Sequence, residues 1–172
     1  MIVSLLNRPL MSYLLRAFCL VVALSSPALA QQADLSFGGL KQDTSLPVEV
    51  TADSLSVDQA DGSALFTGNV LVKQGDMRMT AGKIRVEYGA DGKGIERLHA
   101  TEGVTLVSPA DAAEAAEAVY TIDSGSVVMT GNVLLTQGNA AISGEKLTVN
   151  LKDGTGTMTG RVKTVFTPGG AP

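Results

Sequence analysis

Cysteine, histidine and tryptophan are almost missing from this chain of 172 residues, which has one cysteine, one histidine and no tryptophan. A lone cysteine, Cys19, can form neither an internal disulfide nor a zinc site built on several thiolates. His99 is then the only imidazole for a nucleophile–base pair, and its place beside Ala100 in an alternating pattern predicts a solvated strand residue. We therefore expect no enzyme, no metal site and no cofactor.

Aromatic residues are also scarce, at 4% of the sequence. A glycosidase, which needs two carboxylates and no cysteine, is the enzyme class that this composition leaves open. Its candidate acids, such as Asp53, Asp58, Asp61 and Asp91, cluster at turns and corners, where aspartate forms local hydrogen bonds with the backbone. The shortage of aromatic rings argues further against a cleft in which sugars stack.

The charge balance is acidic, with 17 acidic and 13 basic residues and a formal net charge of −4. The lysines and arginines are scattered along the chain and form no run. Proteins that bind nucleic acid use clustered basic residues to displace the counterions of the phosphate backbone. We therefore expect no nucleic-acid partner.

Residues 1–30 differ in composition from the rest of the chain. Two arginines are their only charged residues, an apolar run occupies 17–24, and small residues precede Ala30. This order predicts a secretory signal peptide cleaved after Ala30, with translation starting at Met1 or Met11. A retained membrane anchor is disfavoured, because the apolar run is shorter than the ~20 residues of a spanning helix. Cleavage removes two positive charges, so the formal charge of −4 becomes −6.

A repeat runs through the remainder of the chain. Its first marker is a small residue followed three positions later by an apolar one, and successive copies are 29, 34 and 29 residues apart. Its second marker is a valine preceded by a pair that contains glycine, with spacings of 34, 29 and 29. The first marker begins at Ala52, Ala81, Ala115 and Gly144, and the valines are Val70, Val104, Val133 and Val162. The single irregular interval contains Gly89–Gly94, which indicates an enlarged turn.

Within each repeat the apolar residues alternate, as in Phe66, Val70 and Val72, and this period predicts a β-strand with one buried face. The alternation slips by one residue at the first marker, for example between Ala81 and Ile84. A slip turns the later side chains to the opposite face unless the strand bulges or bends. We therefore predict bent strands that pass from one sheet into a facing sheet at these corners. Turns rich in Gly, Asp and Asn, which favour antiparallel hairpins, occur at 58–62, 89–94, 123–125 and 153–156.

The predicted fold is all-β, a solenoid-like antiparallel stack of four repeats with two bent strands in each. The stack then has eight long strands, or sixteen if every bend is counted as a break. The third repeat is rich in alanine at 110–118, which favours helix, but its phase with the other repeats predicts strand. The stack occupies 47–166, after a lead-in segment at 31–46 and before a disordered tail at 167–172.

Two copies of a longer motif carry a family resemblance. Residues 66–75, FTGNVLVKQG, and 129–138, MTGNVLLTQG, share Thr-Gly-Asn-Val-Leu followed by Gln-Gly, and Ala-Asp-x-Leu at 52–55 frames the first copy. With the signal-like N-terminus, this pattern resembles the LptA/OstA family of periplasmic lipopolysaccharide-transport proteins of Gram-negative bacteria. The resemblance covers residues 47–166.

The resemblance implies an open, bent antiparallel β-jellyroll whose two facing sheets enclose an apolar groove for the acyl chains of lipid A. It implies end-to-end self-association, and edge-strand contacts with an LptC-like inner-membrane protein and with the N-terminal domain of an LptD-like outer-membrane protein. The implied role is a periplasmic bridge that carries lipopolysaccharide from the inner to the outer membrane without chemistry of its own. Unpaired strands at the two ends of the stack would supply the edges.

The residues that the alternation turns inward are the candidates for lining such a groove. Alternation alone does not distinguish a groove from a closed core, and it is the resemblance that favours a groove. The candidates are Val48, Val50, Leu55, Val57, Phe66, Val70, Val72, Met77, Met79, Ile84, Val86, Val104, Leu106, Tyr120, Ile122, Met129, Val133, Leu135, Ile142, Leu147, Val149, Met158 and Val162.

Two other functions fit the same pattern. A structural or adhesive exported β-repeat protein would have a filled core, bind other proteins through its edges and take up no lipid. A membrane-anchored LptC-like adaptor would retain residues 1–30, so a mature protein that begins at Gln31 would exclude it.

Overall fold

The computed structural model describes residues 33–36, 40–60, 62–90, 92 and 94–167. The predicted signal peptide and most of the predicted C-terminal tail lie outside these residues. The described residues form thirteen β-strands and no helix. The strands are β1 (Ala33–Ser36), β2 (Glu49–Thr51), β3 (Ser54–Val57), β4 (Ala64–Gln74), β5 (Met77–Tyr88), β6 (Ile95–Thr101), β7 (Val104–Val107), β8 (Asp111–Ala115), β9 (Glu117–Thr121), β10 (Ser126–Gln137), β11 (Ala140–Asn150), β12 (Thr155–Thr159) and β13 (Lys163–Phe166).

The predicted long strands are present, and four of them are broken at the corner. Strands β4, β5, β10 and β11 are continuous over 11 or 12 residues. Each of the other four long strands is interrupted at the corner and is therefore present as a pair of short strands: β2/β3, β6/β7, β8/β9 and β12/β13. The alanine-rich third repeat forms β8 and β9, as its phase predicts. Strand β1, inside the lead-in segment, is an addition that the alternation does not predict.

The corners lie where the two markers of the repeat face each other, since Val70 pairs with Ala81 and Val133 pairs with Gly144. Hairpin pairing shifts register between Thr67 and Val70, and again between Thr130 and Val133. At the first shift Gly68 and Asn69 have φ angles of 81° and 46°, in the left-handed region that glycine and asparagine tolerate best. The Gly-Asn pairs before Val70 and Val133 therefore form the bulges of β4 and β10, while β5 changes parity between Ala81 and Ile84, as predicted.

The corners divide the antiparallel network into two parts. Half-sheet A has the order β1-β12-β11-β10-β9-β6-β5-β4-β3. Half-sheet B has the order β13-β11-β10-β8-β7-β5-β4-β2. The four continuous strands contribute one half of their length to each. The inner faces of both half-sheets supply one buried apolar cluster, which confirms the predicted pair of facing sheets.

Candidate functional site

Strand register places the predicted inward residues in continuous apolar rows. Residues directly opposite each other on antiparallel strands share a face, so each row crosses a whole half-sheet. One row of half-sheet A contains Leu55, Phe66, Ile84, Ala100, Ala118, Met129, Leu147 and Met158. The central row of half-sheet B contains Val50, Val72, Met79, Leu106, Ala113, Leu135 and Ile142, and it ends at the polar residue Thr164 on β13. The inner face is thus an apolar track that runs along the stack, perpendicular to the strands.

Burial of the candidates varies with position in the stack. Sixteen of them are at most 4% exposed: Val70, Val72, Met77, Met79, Ile84, Val86, Val104, Leu106, Tyr120, Met129, Val133, Leu135, Ile142, Leu147, Val149 and Met158. Five are half-buried against this cluster: Val48, Val50, Phe66, Ile122 and Val162. Leu55 and Val57 are 56% and 62% exposed, because β3 is the last strand of half-sheet A and has no described neighbour beyond it. The apolar track therefore continues to an exposed end.

Several inner-face residues escaped the sequence prediction. Leu98 and Val127 are fully buried and lie in the same row as Tyr120, so the alternation could have identified them. Leu40 is fully buried too, but it belongs to no strand and the repeat gives no signal for it.

Polar side chains line the inner face of half-sheet B on the side opposite the corners, which we call the mouth. Gln74, Ser108 and Asp111 are 1%, 6% and 3% exposed. Register places Gln74 opposite Met77, and Asp111 opposite Gln137. Alternation of hydropathy assigns polar residues to the outer face, so the sequence analysis missed this row. The position of Gln74, two residues after the inward Val72, was the available signal.

One hydrogen bond joins the two half-sheets across the mouth. The hydroxyl of Tyr120, on β9, donates to Oε1 of Gln74, on β4, at 2.6 Å. Burial of the phenol disfavours its charged form and raises the pKa of Tyr120 to about 12, against the smaller opposing effect of this hydrogen bond. The tyrosine is therefore a neutral donor at physiological pH.

Residues 40–46, which we call the strap, cross the mouth from one half-sheet to the other. Gln42 N–H donates to the carbonyl of Leu151, just after β11, at 2.7 Å. Gln42 Oε1 accepts a 3.3 Å hydrogen bond from the backbone N–H of Asp76, in the β4–β5 turn. Gln74 Nε2 donates to the carbonyls of Thr44 and Leu46 at 3.0 and 2.9 Å. These bonds hold the strap over the polar row and the apolar inner face.

Neither a group of metal ligands nor a membrane-spanning helix is found in the described part of the chain. No three His, Cys, Asp or Glu side chains there come together in a group able to hold a metal ion. No helix there is long and apolar enough to cross a membrane. His99 lies on β6 with Nε2 3.7 Å from Glu117 Oε2, and both side chains are substantially exposed.

A family model described as LptA/(LptD N-terminal domain) LPS transport protein matches residues 49–155. The chain belongs to this family. An uncharacterised protein of Rhizobium meliloti (strain 1021) is 30% identical over 139 residues, which are 76% of this chain and 75% of that protein. The lipopolysaccharide export system protein LptA of Escherichia coli (strain K12) is 30% identical over 117 residues, which are 64% of this chain and 63% of LptA.

A solved structure shares the fold of this LptA/LptD-type domain. LptH of Pseudomonas aeruginosa, described as the LptA-homologous periplasmic component of a lipopolysaccharide transport device, superposes with a TM-score of 0.66 at 19% identity. The match covers 74% of this chain and 99% of LptH. The predicted family and the predicted β-jellyroll are confirmed. The family is one of transport proteins, which agrees with the expectation that the chain is not an enzyme.

Proposed function

We propose that the chain is a periplasmic bridge protein that binds lipopolysaccharide with the acyl chains of lipid A between its two half-sheets. The observation that carries the proposal is the uninterrupted apolar track on the inner face, with Leu55 and Val57 exposed at one end. The apolar residues of a closed core would stop short of an exposed terminal strand. A lipid conduit has to reach that strand, because lipid would pass there to or from the adjoining protein.

The energetics of transport favour a continuous track of this kind. Each acyl CH₂ kept out of water is worth about 0.8 kcal/mol, so a lipid with several chains faces a barrier of tens of kcal/mol in the aqueous compartment. Aliphatic and methionine side chains such as Met79 and Met129 present no polar group that would hold the lipid in one place. The lipid could then move along the track while its sugars and phosphates stay in solvent.

Access to the track is controlled, in this proposal, by the strap. The strap lies over the mouth, where the head group would emerge, so loading requires that residues 40–46 move aside. The strap is held by hydrogen bonds from Gln74 and through Gln42, none of which belongs to a strand ladder, so the strap can move aside while the strands stay intact.

The ends of the stack are the proposed contact surfaces. Strand β3 of half-sheet A lies at one end of the stack. Strand β13 of half-sheet B lies at the opposite end, where Phe166 is 69% exposed. Exposed terminal strands accept further strands from another chain. We propose end-to-end self-association through them, and contacts with an LptC-like protein and with the N-terminal domain of an LptD-like protein, after export and cleavage near Ala30.

Competition binding with purified protein tests the lipid-binding proposal. Fluorescent lipopolysaccharide should bind saturably, and unlabelled lipid A should displace it because the acyl chains carry the recognition. Lipopolysaccharide polysaccharide freed of its acyl chains should not compete. Absence of saturable binding would instead favour the structural or adhesive β-repeat function, for which the edges alone matter.

A further inference from the structure

Asp111 stands apart among the described residues because both of its carboxylate oxygens are buried and have no hydrogen-bond partner. The residue is 3% exposed. A buried carboxylate without a donor is costly, since it has lost its water and gained nothing in exchange. Unpartnered groups of this kind call for an explanation, and a missing ligand is one.

The backbone of Asp111 is fully engaged, so its side chain is not needed to hold the local fold. Its N–H donates to Oγ of Ser108 at 3.3 Å, and its carbonyl accepts the N–H of Ser108 at 2.9 Å. Asp111 is the first residue of β8 and lies two positions before Ala113, so their side chains are on the same face of the strand. Ala113 is fully buried on the inner face. The carboxylate therefore belongs to the inner face, at the mouth.

Gln74, another polar side chain of the mouth, is already in use. Gln74 Oε1 accepts from Tyr120, and its Nε2 donates to the strap. Asp111 is thus an acceptor left over at the level where the apolar inner face gives way to the mouth. Its oxygens are acceptors, so the position selects a ligand group that donates and disfavours phosphate oxygens, which are acceptors themselves.

We infer that Asp111 accepts a hydrogen bond from a hydroxyl of the bound glycolipid, at the junction between acyl chain and sugar. This inference rests on the proposed function, since it names one contact within the same site. A fixed acceptor at this position sets the depth to which the acyl chains enter. The aliphatic rows below it make no contact that would fix that depth.

Two neutral probes that differ by one hydroxyl test the inference with the full mature protein. They are N-(3-hydroxytetradecanoyl)glucosamine and N-tetradecanoylglucosamine. We expect the native protein to bind the hydroxylated probe about tenfold more tightly, the usual scale for a hydrogen bond to a charged group. Asp111→Ala should bind both probes equally, and it should melt at a higher temperature than the native protein because a buried carboxyl group without hydrogen-bond partners is gone.

Matched variants separate this contact from a general loss of structure. Glu114→Ala removes an exposed acid from the outer face of the same strand and should keep the preference for the hydroxylated probe. Asp111→Asn, which is nearly isosteric, replaces Asp111→Ala if the latter does not fold, and should reduce the preference. A native protein without the preference, or an Asp111 variant that retains it, overturns the inference. Failure of both probes and of lipopolysaccharide to bind the native protein would overturn the proposed function itself.

Discussion

The hydroxyl of Tyr120 donates a 2.6 Å hydrogen bond to Oε1 of Gln74 and thereby links β9 of one half-sheet to β4 of the other, between residues 46 positions apart. The same glutamine holds the strap through its amide group. One buried side chain thus connects three parts of the fold that are distant in sequence.

Replacing Gln74 by leucine should lower the free energy of unfolding by about 2 kcal/mol, because the buried hydroxyl of Tyr120 and the partly buried carbonyls of Thr44 and Leu46 lose their partner. Tyr120→Phe removes a single hydroxyl and should cost about 1 kcal/mol. Urea denaturation of the two variants measures the difference. Equal losses would show that the bonds from Gln74 to the strap contribute nothing to stability.

Stability should depend on alkaline pH through Tyr120. Its pKa is about 12 in the folded chain against an ordinary 10, so the folded state keeps a proton that the unfolded chain releases first. The contribution is complete below pH 10 and falls as the pH rises toward 12, by about 1.4 kcal/mol for each unit of pKa difference. Urea midpoints of the native chain should fall faster over this range than those of Tyr120→Phe. Parallel curves would contradict the assignment.

A disulfide between the strap and half-sheet A should block lipid loading. A Cβ at Gly125 would lie 3.3 Å from Cγ2 of Thr44, so Thr44→Cys and Gly125→Cys place two thiols within bonding reach. The only native cysteine is Cys19, in the predicted signal peptide. The positive φ of 67° at residue 125 makes cysteine there unfavourable by roughly 1–2 kcal/mol.

Oxidised protein with this pair should take up no lipopolysaccharide, and reduction should restore uptake. The control is a disulfide between Leu71→Cys and Thr80→Cys, directly opposed on β4 and β5 away from the strap, which should leave uptake unchanged. If the oxidised strap variant loads lipid like the reduced one, the strap does not gate the mouth.

Self-association should require two different ends of the stack. Val57→Lys places a charge on β3, where Val57 is 62% exposed, and Phe166→Lys does so on β13, where Phe166 is 69% exposed. Sedimentation should show each variant alone as monomer. Their mixture should form dimers, because a head-to-tail contact needs one intact end from each partner.

Val107→Lys is the matched control for these end variants. Val107 is 38% exposed but lies on β7, in the middle of the stack, so this change should leave association unaffected. Loss of association in Val107→Lys, or failure of the mixture to pair, would rule out end-to-end contact.

Local patterns predicted much of this fold. Alternation identified the inner face because a strand in a two-layer sheet turns every second side chain to the core, as Ile84 and Val86 do. The slip in alternation between Ala81 and Ile84 predicted the corner, because the side chains on either side of it face inward from different half-sheets. The positive φ angles of the Gly-Asn pairs were not part of that prediction.

Long-range contacts were beyond such patterns. Leu40 is buried only because the strap crosses a mouth formed by residues far along the chain. Gln74 and Asp111 face inward because their strands put them there, in spite of their polarity. The strap and the polar row both depend on contacts between residues that are distant in the chain. Local sequence patterns therefore could not predict this part of the proposed site.

Site-specific photo-crosslinking in cells shows whether lipopolysaccharide lies between the half-sheets. A diazirine amino acid of leucine-like size would replace inward Leu55 and Leu135, and in matched variants outward Ser56 and Lys73 on the same or neighbouring strands. We expect lipopolysaccharide adducts at Leu55 and Leu135 and none at Ser56 and Lys73. Adducts at the outward positions alone, or at no position in folded and exported protein, would contradict a lipid track between the half-sheets.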